Sequence, residues 1–228
     1  VKEQPPQPTP TPTTARHRID SVHVPLGTPV DADPSDDIVL DETFFVLSYS
    51  ADRRVPNWVS WRLARDDLGD FDRSDRFHAD TLLPQGKVAT VATFVMTNMQ
   101  PQLHTLNAGP WKSLGTWERK LAGEQGKTLH VVAGGTFDAT PARIASGVAV
   151  PKANYRITVV LDHASTNVTT TTPVYAVVMP NADEVKGHKW TEYMTSVDKV
   201  ERATGYDFLS EVPDDVENVV EARVAAAA

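Results

Sequence analysis

The 228-residue chain contains no cysteine. Disulfides, thiolate zinc sites and a cysteine nucleophile are therefore excluded. No stretch approaches the roughly 18 to 20 consecutive apolar residues of a membrane span, so no transmembrane helix is expected. Basic charge is scarce, with 22 Lys and Arg against 30 Asp and Glu and a formal net charge of -8. Such a chain lacks the broad basic surface of a general nucleic-acid binder, and any phosphate binding has to be local and metal-assisted. Internal repeats and glycine-rich phosphate loops are also missing.

What is present starts with Pro5, Pro6, Pro8, Pro10 and Pro12, which alternate with Thr or Gln. That composition forms extended linker rather than core. The expected organisation is a linker over residues 1–18, one globular domain over 19–224 and a short tail over 225–228. A domain of this length can bury a substantial core around a single sheet. A Pro/Thr stalk on a chain that begins at Val1 leads to the expectation of a secreted or cell-envelope protein.

Runs rich in Val, Ile and aromatic residues predict strands over 44–49, 57–63, 128–133, 155–161 and 174–179. The first two are close enough to form a hairpin. Helices are predicted over 111–122, over 191–203 with Gly205 just past the end, and over 213–223. Because strands and helices do not alternate regularly, the fold class is α+β, with a largely antiparallel central sheet flanked by helices.

Residues 95–114 carry the densest chemistry. An apolar strand over 92–96 leads into the neutral amides Asn98, Gln102 and Asn107. Pro110 then suits the first turn of a helix with Trp111, Leu114, Trp117 and Leu121 on one face. Strand, polar loop and helix together make a place to hold a phosphate and a metal. For an isolated Asn, the plainer role is to hold loop backbone in a turn. The arginines Arg53, Arg54, Arg62, Arg65, Arg73 and Arg76 are interleaved with aspartates, and read equally well as a salt-bridged surface.

Four segments resemble, in the same order, the DNA/RNA non-specific endonucleases of the ββα-metal (His-Me finger) class. They are Pro56-Asn57-Trp58-Val59-Ser60-Trp61-Arg62-Leu63, then Thr97-Asn98-Met99-Gln100-Pro101-Gln102 with Asn107 and Trp111, then Gly205-Tyr206-Asp207-Phe208-Leu209-Ser210, and finally Val212-Pro213-Asp214-Asp215-Val216. The resemblance implies the ββα-metal finger nuclease fold, and DNA and RNA as partners through phosphate contacts. It implies that Asn107 is the sole protein ligand of a magnesium ion, with manganese as the alternative. Magnesium keeps several waters, so one amide oxygen can suffice when the phosphate supplies more. Asn98 and Gln102 would orient the metal loop, and Arg73 would stabilise charge on the transferring phosphate.

Two departures stand out. Gly115 occupies the position where the family usually has Glu, and Glu118 one turn later lies on the same helix face. The family's general base is the histidine of an Asp-Arg-Gly-His motif, and Asp75-Arg76-Phe77-His78 resembles it with Phe in place of Gly. In a second alignment, Phe77-His78-Ala79-Asp80-Thr81-Leu82-Leu83-Pro84-Gln85-Gly86 matches an upstream family segment, and His78 takes an Arg position. That alignment leaves roughly thirty family residues, the base among them, spanned only by residues 87–91. The expected activity is metal-dependent hydrolysis of DNA and RNA phosphodiester bonds. The alternative is a catalytically inactive nuclease-like module that binds nucleic acid or a protein partner.

Overall fold

The computed structural model describes residues 19–68, 98–144, 146–163 and 165–226. Arg73, His78 and the strand expected over 92–96 lie outside the described residues.

Among the described residues, seven strands form one sheet in strict sequence order, and every pairing is antiparallel. They are β1 (Ile38–Asp41), β2 (Val46–Ser50), β3 (Val55–Leu63), β4 (Lys127–Thr136), β5 (Ala153–Asp162), β6 (Val174–Pro180) and β7 (Met194–Thr195). The helices are α1 (His104–Leu106), α2 (Lys112–Gln125), α3 (Val197–Thr204) and α4 (Asp214–Ala222). The α+β class and the antiparallel sheet are as the sequence predicts.

Strand periodicity assigns the two faces, because successive side chains point to opposite sides. On β5, Tyr155, Ile157, Val159 and Leu161 face one core, which Trp58, Phe208 and the apolar sides of α3 and α4 complete. The intervening Arg156, Thr158 and Val160 face the other side, where α2 packs. Leu114, Glu118, Leu121 and Ala122 of α2 are buried, at the i, i+4, i+7, i+8 spacing of an inward face. The helix stops at Gly126, whose left-handed backbone (φ 65, ψ 24) suits glycine.

Two elements differ from the sequence prediction. The strand expected over 44–49 begins at Val46 because the chain turns first, with Glu42 N–H bonding Phe45 O at 2.8 Å, which leaves Phe44 76% exposed. The helix expected over 191–203 is shorter. A 3-10 turn (Trp190–Tyr193) and β7 precede it, and pairing of Met194 and Thr195 with Val177 and Ala176 outweighs local helical preference. Of the clustered arginines, Arg53 pairs with Asp36 and Arg62 with Asp67. The acidic loop over 31–37 is tied down at Asp37, which accepts from Ser48, Asn57 and Tyr206.

Candidate metal and phosphate site

Between β3 and β4 the chain leaves the sheet and returns through α2. Asn107 opens a wide helical turn (Asn107–Trp111), anchored by its backbone N–H to Leu103 O at 2.9 Å. Gly109 breaks the helical path there (φ -96, ψ -119), and buried Pro110 restarts it, since a first-turn proline forfeits no hydrogen bond. The Asn107 side chain is exposed and lines a cleft of about 530 Å³. Trp61, Asp67, Trp111, Lys112, Gly115, Glu118, Arg119 and Arg156 also line it.

The loop ahead of Asn107 is held by amides from distant strands. Asn181, just past β6, accepts the Leu103 N–H at 2.8 Å and donates to the carbonyls of Pro101 (3.1 Å) and Pro151 (3.0 Å). Thr105 Oγ1 donates to Asp183 at 2.9 Å. The Gln100 side chain accepts from Asn154 Nδ2 and lies across Gly135, where a Cβ would come within 2.6 Å of Gln100 Nε2. Only glycine leaves that approach open. Asn98, by contrast, is exposed, and Gln102 is half-buried.

The cleft floor is a buried ion pair. Glu118, 2% exposed, receives Arg156 Nη1 on Oε2 at 2.8 Å and Thr158 Oγ1 on Oε1 at 2.7 Å. The Arg156 guanidinium also lies 4.1 Å from the centre of the Trp111 ring and 5.5 Å from that of Trp61. A carboxylate so engaged is committed to holding Arg156. Gly115 sits over this pair, and a Cβ on it would stand 3.6 Å from Arg156 Nη1 and 3.9 Å from Glu118 Oε2. Lys112 and Arg119, both exposed, add positive charge along the cleft.

The structure therefore brings Asn107, Gly115 and Glu118 to one cleft, while Arg73 and His78 lie outside the described residues. Sequence reasoning missed Arg156, Asn154, Asn181 and Gln100. Three of these sit on or beside strands far along the chain. Gln100 alone lay in the motif, where nothing set it apart from the neighbouring amides Asn98 and Gln102.

The family described as DNA/RNA non-specific endonuclease matches residues 25–91 and 87–215, two pieces that both include residues 87–91. A protein named Nuclease from Nostoc sp. (strain PCC 7120 / SAG 25.82 / UTEX 2576) is 34% identical over 239 residues, covering 90% of this chain and 86% of the relative. Nine-tenths of 228 residues is about 205, so about 34 of the 239 aligned positions have no residue from this chain. The family match is split where the sequence predicts a shortened segment. With a match across most of its length and a relative of this identity, the chain belongs to the DNA/RNA non-specific endonuclease family.

Proposed function

We propose that this chain is an endonuclease whose cleft takes the phosphodiester backbone of DNA and RNA, with a magnesium ion held by Asn107. The observation that carries this reading is the exposed Asn107 amide in a cleft with the cations Lys112 and Arg119, within an otherwise acidic chain. Contacts to phosphates position a nucleic acid without reading its sequence, which suits action on either sugar. The donor fits the ion, since an amide oxygen is a hard neutral ligand and magnesium retains waters that a phosphate can replace. When bound, magnesium or manganese would offset charge on the leaving oxygen. Lys112 and Arg119 bind flanking phosphates, and the Arg156–Glu118 pair forms a charge-balanced floor in which Glu118 fixes the Arg156 orientation. Arg73 is assigned to the scissile phosphate, and Asn98 and Gln102 to support of the metal loop. An exported location belongs with this reading.

The split of the family match at residues 87–91 favours a second reading, a module that binds without cutting, because the sequence predicts that the segment carrying the family's base is shortened there. Supercoiled plasmid and total RNA, each incubated with magnesium, with manganese and with EDTA, decide between the two. Cleavage that needs the metal and is lost in Asn107→Ala supports the endonuclease. Its loss in His78→Ala as well would assign His78 as the base. Retarded migration without cleavage supports the second reading.

A further inference from the structure

Gly115 stands in the middle of α2, where glycine is less stable than alanine. Nothing in the packing requires it. Its φ is not positive, and a Cβ there would make only ordinary contacts, at 3.6 Å from Arg119 Nη1, 3.6 Å from Arg156 Nη1 and 3.9 Å from Glu118 Oε2. The missing side chain leaves an opening in the cleft wall with two guanidinium nitrogens beside it. Arg119 makes one hydrogen bond among the described residues, from Nη2 to Thr116 Oγ1 at 3.3 Å, and its Nη1 is the atom that reaches Gly115. Arg156 is only 8% exposed and is locked in place, with Nη1 donating to Glu118 Oε2 at 2.8 Å and the guanidinium packed on Trp111. That bond uses one of the two N–H groups on Nη1. Arg156 Nε is buried without a partner, so Glu118 does not exhaust the donors of this guanidinium. Two cations against the single charge of Glu118 leave the opening net positive.

We propose that the opening over Gly115 seats a phosphate of the nucleic-acid backbone, held by Arg119 and Arg156 rather than by the metal. This rests on the functional reading above and gives one of its flanking phosphates a place. A phosphate oxygen enters where alanine would put its methyl group, and guanidinium N–H groups match phosphate oxygens in geometry and charge. Glu118 and Trp111 hold Arg156 in position beforehand, so little freedom is lost on binding. Any side chain at 115 would fill the seat, which supplies a reason for glycine at this point of the helix.

The test is binding of a fluorescein-labelled oligothymidylate to the full chain in EDTA, read by anisotropy, so that an ion at Asn107 takes no part. Wild type should bind. Gly115→Ala should weaken binding about tenfold while its thermal midpoint rises, which separates the loss from unfolding. Arg119→Gln should weaken binding to a similar degree and flatten the slope of log affinity against log salt by about 0.7, the share of one single-strand phosphate. Combined, the two changes should cost little more than either alone. Lys120→Gln, at an exposed position on α2 that lines a separate hollow, should leave affinity unchanged. Absence of binding in EDTA, unchanged affinity in Gly115→Ala, or equal losses in Arg119→Gln and Lys120→Gln would each overturn the seat. None of these results bears on magnesium-dependent cleavage, which the plasmid assay reads separately. Inorganic phosphate that binds where the oligonucleotide does not would assign the opening to the free ion and overturn the proposal as well.

Discussion

Arg156 and Glu118 meet at 2.8 Å beneath the cleft, with the guanidinium packed on Trp111 and both partners nearly sealed from solvent. Removing one member of a buried pair strands the charge of the other. Arg156→Met should therefore destabilise the chain by about 3 to 5 kcal/mol, and the double change Arg156→Met with Glu118→Leu by much less. Urea unfolding of Arg156→Met, Glu118→Leu and the double variant measures this. Additive losses would mean that the two residues act independently.

Gly115 lies in mid-helix with ordinary contacts waiting for a Cβ. Gly115→Ala should stabilise by about 0.5 to 1 kcal/mol, raising the thermal midpoint by a few degrees. Gly115→Glu restores the family's usual carboxylate beside Arg119 and Arg156. If the chain cleaves nucleic acid, that variant should cleave faster at equal magnesium, and an initial-rate assay reads the difference.

Asn107→Ala should remove magnesium binding from the cleft while leaving the unfolding midpoint within about 2 °C, because an exposed loop amide contributes little to the core. Asn181→Ala should act at a distance. With its two bonds to the loop, at Leu103 and Pro101, and the brace to Pro151 lost, magnesium affinity should fall about 10- to 100-fold. Titration calorimetry tests both, and unchanged affinity in Asn107→Ala would remove that residue from the site.

His130 is buried on the α3/α4 face of the sheet, and neither ring nitrogen has a hydrogen-bond partner. Burial, with the charge of Arg62 and His23 adding to it, lowers its pKa from 6.5 to about 4. The unfolded chain then binds this proton more readily than the folded one. Stability is fully present above pH 6.5 and falls by about 1.4 kcal/mol per unit down to pH 4, a total of roughly 3 kcal/mol. His130→Leu should flatten that slope in urea titrations at pH 7, 5.5 and 4.5. A slope identical to wild type would place the acid sensitivity elsewhere.

The sheet was legible because β-branched runs and antiparallel pairing agree, as in β5, where Tyr155 to Leu161 alternates between the two cores. Phe44 misled because an aromatic beside a strand reads as part of it, although a turn expels it. The start of α3 misled because β7 is created by pairing with β6, a partner some twenty residues away, although Ser196 marks the true N-cap position. In the site, Asn107 and Pro110 could be read because their chemistry is local. Arg156 and Asn181 could not, because their partners Glu118 and Pro101 lie 38 and 80 residues away. A lone Arg in a strand or an Asn after one carries no sign of what the fold will set against it.

Strict sequence order in the sheet means that β3 and β4 are hairpin neighbours, in register from Trp58 against Gly134 to Leu63 against Leu129. The whole stretch from Ala64 to Gly126 is thus a detour between two strands that already grip each other. Outside α2, which packs on the sheet, a change of length in such a detour costs little in loop closure, since each doubling of a loop adds only about 0.6 kcal/mol. A difference of some thirty residues there is therefore compatible with an intact sheet. On the second reading proposed above, folding and cutting would be separate traits, and the chain would keep its shape without the chemistry.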